Sequence, residues 1–348
     1  MRSASSKFPC RRGRWPRALA ATASAGVLLT LSACGGGSDA SDADGTASVK
    51  FTYEWTCGGD WAVGYVGEQQ GYFAQEKLKV GFTRGQGGSA TTPLVASGKY
   101  DIGSLSAPAL VLGMGEELPL KVFGVAAQTS PVAIIADSSV VKPSDLEGRT
   151  IAIQTDQFEG AVWDAFVKAS GIDLDKVKVV KSTDASDSQF IDGKIDALIV
   201  YYPTTSTYAL LNQRPGGSSV LQMQKYVPSF GHSLVTNTAY LNRNPDTVRR
   251  FSNAWARSVE YAVSHRAAAL KLLENKCPEL SAGAAKYSLN GYLDSFVSGY
   301  ADKHGILAFD PEGLKQTEAV LVGAKLMDPV DLGDHYTTDY LPDPAVKP

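Results

Sequence analysis

Residues 49–82 read VKFTYEWTCGGDWAVGYVGEQQGYFAQEKLKVGF. Val49–Trp55 alternates apolar and polar side chains, the period of a half-buried strand. Ala62–Phe73 spaces its apolar residues as a helix does and stops at Gly71-Tyr72-Phe73. Leu78–Thr83 reads as a second strand. Strand, helix, strand is the opening of an α/β rhythm that continues along the chain. A helix over Thr91–Ser97 ends at the C-cap glycine Gly98, and a short buried strand starts at Asp101–Gly103. Strands follow at Lys121–Ala127, Val132–Ala136, Thr150–Gln154, Val177–Val180 and Ala197–Val200. Helices are predicted at Glu159–Ser170 and Asp187–Asp192. Val132–Ala136 and Ser229–Thr236 bracket a middle block with its own strand–helix rhythm. This predicts two lobes, 48–136 plus 229–348 and 137–228, joined by two hinge strands around a central ligand cleft. Past Asn244-Pro245-Asp246 the chain becomes mostly helical, and Val248, Phe251, Trp255, Val259 and Ala262 form one core-facing stripe.

Composition narrows the function classes. The chain has 348 residues, 44% hydrophobic and 20% charged, an ordinary globular mixture. Residues 1–33 hold six basic residues and no acid, which leaves 27 Lys and Arg against 36 Asp and Glu in residues 34–348. An acidic body argues against general nucleic-acid binding, which needs a basic surface. The basic start precedes an apolar run of about 14 residues, Ala18–Leu31, too short to span a bilayer and suited to a signal peptide. It ends in Leu31-Ser32-Ala33-Cys34, which looks like a bacterial lipobox. The expectation is a lipoprotein signal peptide over 1–33, lipidation of Cys34 and a flexible Gly/Ser/Asp tether over 34–47, of about 20 Å reach. Arg11-Arg12 opens a twin-arginine export route, which the following residues fit poorly. Of the remaining cysteines, Cys57 and Cys277 are candidates for a disulfide in an oxidising compartment. The four His residues, at 232, 265, 304 and 335, show no ligand spacing, so no metal and no cofactor is expected.

Five motifs carry a family resemblance. They are Gly71-Tyr72-Phe73 leading to Lys77-Leu78-Lys79-Val80, Leu94–Gly103 (LVASGKYDIG), Pro143–Ala152 (PSDLEGRTIA), Asp192–Ala197 (DGKIDA) and Leu241–Phe251 (LNRNPDTVRRF). In this order they resemble the substrate-binding proteins of ABC importers for nitrate, sulfonate, taurine and thiamine-pyrimidine precursors. One departure is Lys77, where that family usually has Gly. The resemblance implies a two-lobed periplasmic-binding-protein type II fold, an ABC permease with its ATPase as partner, and a membrane-anchored monomer on the outer face. A binding lipoprotein is one reading. An enzyme on the same scaffold is a second, but the relatives that make the thiamine pyrimidine carry a Cys-rich signature absent here. A ligand sensor is a third.

Four loops are expected to face the cleft. Trp55 and Trp61 offer flat faces for a ring, unless one of them is core; the resemblance places an aromatic residue at Trp55 in ring binders. Gly58-Gly59 would let backbone approach a ligand. Arg84–Thr91 precedes a helix, whose unpaired N–H groups suit an anion. There Gly88, Ser89 and Thr91 are candidates, although Ser89 or Thr91 can equally cap the helix. Ser106 follows the third strand. In the second lobe Thr155 and Asp156 lead into a helix, and Tyr201 ends a strand. An acid entering the cleft, Asp156 or Glu159, would favour an amine or amidine-like ring nitrogen. His232 has either a ligand role or a hinge role. Aromatic residues outnumber cations in these loops, so a ring-containing organic ligand is favoured, a pyrimidine-type precursor or an aromatic acid. Alkanesulfonates, taurine or an inorganic anion are the alternative.

Overall fold

The computed structural model describes residues 45–154 and 158–348. The signal segment, Cys34 and nearly all of the tether lie outside them, as do Thr155 and Asp156. The first lobe contains β1 (Ala47–Tyr53), α1 (Trp61–Gln69), α2 (Tyr72–Gln75), β2 (Leu78–Thr83), α3 (Gly88–Ala96), β3 (Ile102–Ser106), α4 (Ala107–Gly115) and β4 (Leu120–Val125). The chain then builds β5 (Val132–Asp137), β6 (Thr150–Ile153), α5 (Phe158–Ser170), β7 (Lys178–Lys181), α6 (Ser186–Ile191), β8 (Ala197–Tyr201), α7 (Thr205–Gln213) and β9 (Ser218–Gln222). It returns through β10 (His232–Asn237) to α8 (Thr238–Arg243), α9 (Pro245–Ser264), α10 (Arg266–Lys276), α11 (Ala282–Phe296), α12 (Tyr300–His304) and α13 (Glu312–Gly323).

Two five-stranded sheets result, ordered β2-β1-β3-β10-β4 and β7-β6-β8-β5-β9. In the first, β1 runs parallel to β2 and β3, and β10 is antiparallel to β3 and β4. The second repeats the plan: β6 is parallel to β7 and β8, and β5 is antiparallel to β8 and β9. The parallel strands are covered by helices, which is why β3 is buried along its whole length. The α9 stripe does the covering for β1. Val248, Phe251, Trp255, Val259 and Ala262 are all buried, and Phe51 packs 5.5 Å from Phe251 and 5.2 Å from Trp255. Burying each such large apolar side chain is worth about 1.5–3 kcal/mol. Lys77 sits in the left-handed region, at φ +51°, a conformation that glycine adopts more readily than a residue with a side chain.

The structure moves several expected boundaries. Val132–Asp137 belongs to the second sheet, where it pairs with β8 and β9, not to the first lobe. Its apolar run fits either sheet; which strands it joins is decided by long-range pairing, here β8 and β9 on its two sides. The connections are therefore not hinge strands. They are the segments 126–131 and 223–231, the second opening with a 3-10 turn (Met223–Lys225), and strands start only at Val132 and His232. The two segments hold each other: Ala127 N–H donates to the His232 carbonyl and Gly231 N–H to the Ala127 carbonyl, both at 2.9 Å. Gln224 Oε1 accepts from the N–H groups of Ser130 (2.8 Å) and Ser229 (3.2 Å), one on each segment. The C-terminal part does not keep to one lobe. α11 packs on α7 as well as on α9 and α10, and α13 packs on both α4 and α5. Ala47 pairs with Leu78 as part of β1, so the strand takes up the last tether residue. Ala107-Pro108 starts α4 directly after β3, because proline is tolerated in a first helical turn.

Candidate functional site

The C-terminal ends of β1, β3, β6 and β8 converge on a cavity of about 1170 Å³. A ligand site at the carboxyl ends of parallel strands, where strand order reverses, is what such a sheet provides. A second, smaller cavity of about 280 Å³ lies against the crossing segments and Tyr202-Pro203; no β1 or β3 end reaches it.

Glu54 is the central polar group, and sequence reasoning missed it. It directly follows β1 and lines the cavity. Its Oε1 accepts from the Ser106 hydroxyl at 3.0 Å, and its Oε2 accepts from the Ser106 N–H. Ser106 is the N-cap residue of α4. At the start of α3, a Cβ built on Gly88 would lie 3.1 Å from Glu54 Oε1 and 2.4 Å from the Ala109 Cβ. One carboxylate thus sits beside the N-termini of both α3 and α4. Those N-termini carry partial positive charge, and a resident acid already answers it. Glu54 lies beside the 84–91 loop expected to hold an anion, while its hydrogen bonds come from Ser106. The signal in the sequence was a carboxylate closing an otherwise apolar alternation at a strand's C-terminal end.

The other candidates separate clearly. Trp55 lines the cavity, is 61% exposed, and lies across Gly87, where a Cβ would come 3.3 Å from its ring. Trp61 does not line it. It is buried in the core, stacked on Tyr53 at 4.3 Å between ring centroids, because it begins α1 on the face turned to the sheet. Gly88, Ser89, Ser106 and Tyr201 all line the cavity. Thr91 does not: it is buried, its Oγ1 accepts from Gln86 N–H at 3.2 Å, and Gln86 is thereby tied to α3. Arg84 is exposed and outside the lining. Of the glycine pair, Gly58 lines the cavity and Gly59 serves packing. A Cβ on Gly59 would stand 2.3 Å from the backbone of α11, so the close approach is to a helix. Thr155 and Asp156 lie outside the described residues.

Charge sets the chemistry. Four carboxylates line the cavity, Glu54, Asp60, Glu116 and Glu159, and no Lys or Arg does among the described residues. Burial raises the Asp60 carboxyl from 3.8 to about 6, with His232 opposing and Glu54 adding to the rise. Burial also raises Glu159. Tyr201 is pushed well above the usual phenol range by burial, then by the charges of Glu159 and Glu54, so it stays a neutral donor. Tyr292 behaves likewise, through burial and then Asp60, Glu54 and Tyr201. His232, buried at the return from the second lobe, has its ring 5.9 Å from Tyr292 and a buried Nδ1 with no partner. Its backbone holds the crossing while its ring lines the cavity, so both expected roles have a structural basis. A disulfide joins Cys57 on the cavity lining to Cys277 at the end of α10, with Cα atoms 6.2 Å apart.

Comparison with known proteins shows a family and a fold. The family described as NMT1/THI5 like matches residues 60–269. The formylaminopyrimidine-binding protein of Halalkalibacterium halodurans is 24% identical over 251 residues, 71% of this chain and 76% of that protein. The 4-amino-5-hydroxymethyl-2-methylpyrimidine phosphate synthase of Aspergillus parasiticus is 23% identical over 239 residues, 65% and 70% of the two chains. The solved periplasmic aliphatic sulphonate-binding protein SsuA of Escherichia coli superposes with a TM-score of 0.63 at 17% identity, over 83% of this chain and 91% of that one. The fold is that of the periplasmic binding proteins.

Proposed function

We propose that this protein, which belongs to the NMT1/THI5-like family, is the solute-binding component of an ABC importer and that its ligand is an amino-substituted pyrimidine. The observation that carries the reading is the resident carboxylate. Glu54 is bonded to Ser106 at the N-terminus of α4 and lies beside that of α3, where a sulfonate or a carboxylate would sit, and among the described residues the lining adds three more acids and no Lys or Arg. An anion entering this site meets repulsion in a partly desolvated cleft, where charge is poorly screened. An amino group or protonated ring nitrogen meets acceptors instead. Trp55 supplies a face for the ring, and Tyr201 and Tyr292 supply neutral hydroxyls. The relative named for formylaminopyrimidine binding supports the same ligand class. The likeness to sulphonate binders concerns the fold.

The protein acts by binding and not by conversion. One relative is named as a synthase and is 23% identical, but the Cys-rich signature read as the mark of such enzymes has no counterpart in this sequence. Ligand binding shifts the lobes toward a closed form that docks on the permease. Cys34 carries the lipid that holds a monomer at the outer face of the membrane. No helix of the described residues is long and apolar enough to cross a membrane.

Titration calorimetry tests the ligand class. The protein is titrated with 4-amino-5-hydroxymethyl-2-methylpyrimidine, taurine and ethanesulfonate. Only the pyrimidine is expected to bind, to be recovered chemically unchanged, and to bind at least tenfold more weakly to Glu54→Gln. Binding of a sulfonate with none of the pyrimidine would overturn the reading. In cells that express the full chain, Cys34→Ser is expected to move the protein out of the membrane fraction; retention there would refute the anchor.

A further inference from the structure

The four acids on the cavity lining are not equivalent. Glu54 accepts two hydrogen bonds from Ser106, one from its hydroxyl at 3.0 Å and one from its backbone N–H. Asp60 accepts from its own backbone N–H and from that of Trp61, and His232 stands near enough to favour its charge. Glu116 directly follows α4 and is exposed to water. Glu159 has none of these compensations. It sits in the first turn of α5, is part-buried and lines the cavity. Among the described residues no other residue donates to it and no cation pairs with it. Only its own backbone N–H offsets the burial that raises its carboxyl.

Its place in the fold matters as much. Glu54 and Asp60 follow β1 of the first sheet, whereas Glu159 opens the helix that follows β6 of the second. Tyr201, buried at the end of β8, feels the charge of Glu159 first and that of Glu54 second. Its hydroxyl therefore lies in the field of acids from both sides of the cavity. An acid at a helix start also complements the helix dipole, but that role does not require a carboxylate turned into a cavity and stripped of part of its water. A carboxylate so placed, without donors of its own, gains most from a donor that arrives with the ligand.

Resting on the pyrimidine reading, we infer that Glu159 is the specificity-determining residue for the ligand's amino group: its carboxylate accepts the amino N–H from the second lobe while the first lobe holds the rest of the ring. The other three acids already have donors or water, so selection for the amino group falls to Glu159. One ligand then spans both lobes, and the closed form is favoured because only there is this bond complete.

The test is titration calorimetry with two probes. One is 4-amino-5-hydroxymethyl-2-methylpyrimidine; the other is 5-hydroxymethyl-2-methylpyrimidine, which lacks the amino group. The wild type is expected to prefer the amino compound at least tenfold. Glu159→Gln is expected to shrink that preference by about fivefold or more, because a charged acceptor bonds about twice as strongly as a neutral one. Glu159→Asp, which keeps the charge on a shorter stem, is expected to restore part of it. The ligand-free melting temperature of Glu159→Gln is expected to stay level or rise, since a part-buried carboxylate without a partner is removed. A helix-dipole role alone predicts the opposite, a lower melting temperature with an unchanged preference. That result, or a wild type that binds both compounds equally, would overturn the role of Glu159 while leaving pyrimidine binding in place. If the wild type binds neither compound, the pyrimidine reading fails and the inference falls with it.

Discussion

Asp60 shows how one residue couples the site to pH. The unfolded chain releases its proton near 3.8, whereas the folded protein holds it to about 6. Between those values the folded state binds the extra proton. Stability from this group is therefore complete below pH 4 and is lost as pH rises through 6. Binding runs the other way. An ionised Asp60 attracts an amino-substituted ring, so affinity rises over the same interval. Urea melts of wild type and Asp60→Asn at pH 4.5 and pH 7 check the first half. The wild type is expected to lose more stability than the variant on going to pH 7, and parallel losses would remove Asp60 from the account. Calorimetry at the same two pH values checks the second half.

At the scale of elements, what the sequence reveals depends on the range of the forces involved. The β2 strand, the α5 helix and the α9 stripe were legible because period and end signals are local. The Leu78–Thr83 strand reading coincides with β2, and all five predicted α9 stripe residues are buried. The start of α4 was not legible: it follows β3 without a loop, with Pro108 in its first turn. β5 read correctly as a strand and was assigned to the wrong sheet, since pairing partners lie far away in the chain. The site followed the same division. Trp55, Ser89, Ser106 and Tyr201 line the cavity because strand ends and helix starts face it. Trp61 and Thr91 stand one element-turn away, and a periodic pattern does not say which side of a turn faces a cleft. The disulfide is another long-range feature. It closes 220 residues of separation, worth about 5 kcal/mol on a chain-entropy account, and it pins the loop that carries Trp55 and Asp60.

For the whole molecule, the open question of mechanics is what ties the lobes besides the two crossing segments. Ser288 of α11 is one answer. It is fully buried. Its hydroxyl accepts from Gly59 N–H at 3.0 Å and donates to the Pro203 carbonyl at 2.9 Å. Gly59 belongs to the first-lobe loop that lines the cavity, and Pro203 follows β8 of the second sheet, so one hydroxyl bridges both lobes. α11 packs closely there: a Cβ on Gly291 would lie 2.2 Å from Pro203. Ser288→Ala strands an N–H on one side and a carbonyl on the other. Unsatisfied buried groups cost about 1–3 kcal/mol each, so a loss of that order is expected in denaturant melts. The bridge also predicts a change that stability alone does not report. With the link removed, the ligand-free protein is expected to show a larger radius of gyration in small-angle scattering, and to require ligand for compaction. Ser258→Ala is the control. Ser258 is equally buried, but its hydroxyl donates to Ala254 within its own helix, at 2.7 Å; it is expected to leave the scattering unchanged. If Ser288→Ala scatters as the wild type does, the lobes are held by the crossing segments and helix packing, and Ser288 is only a satisfied core hydroxyl.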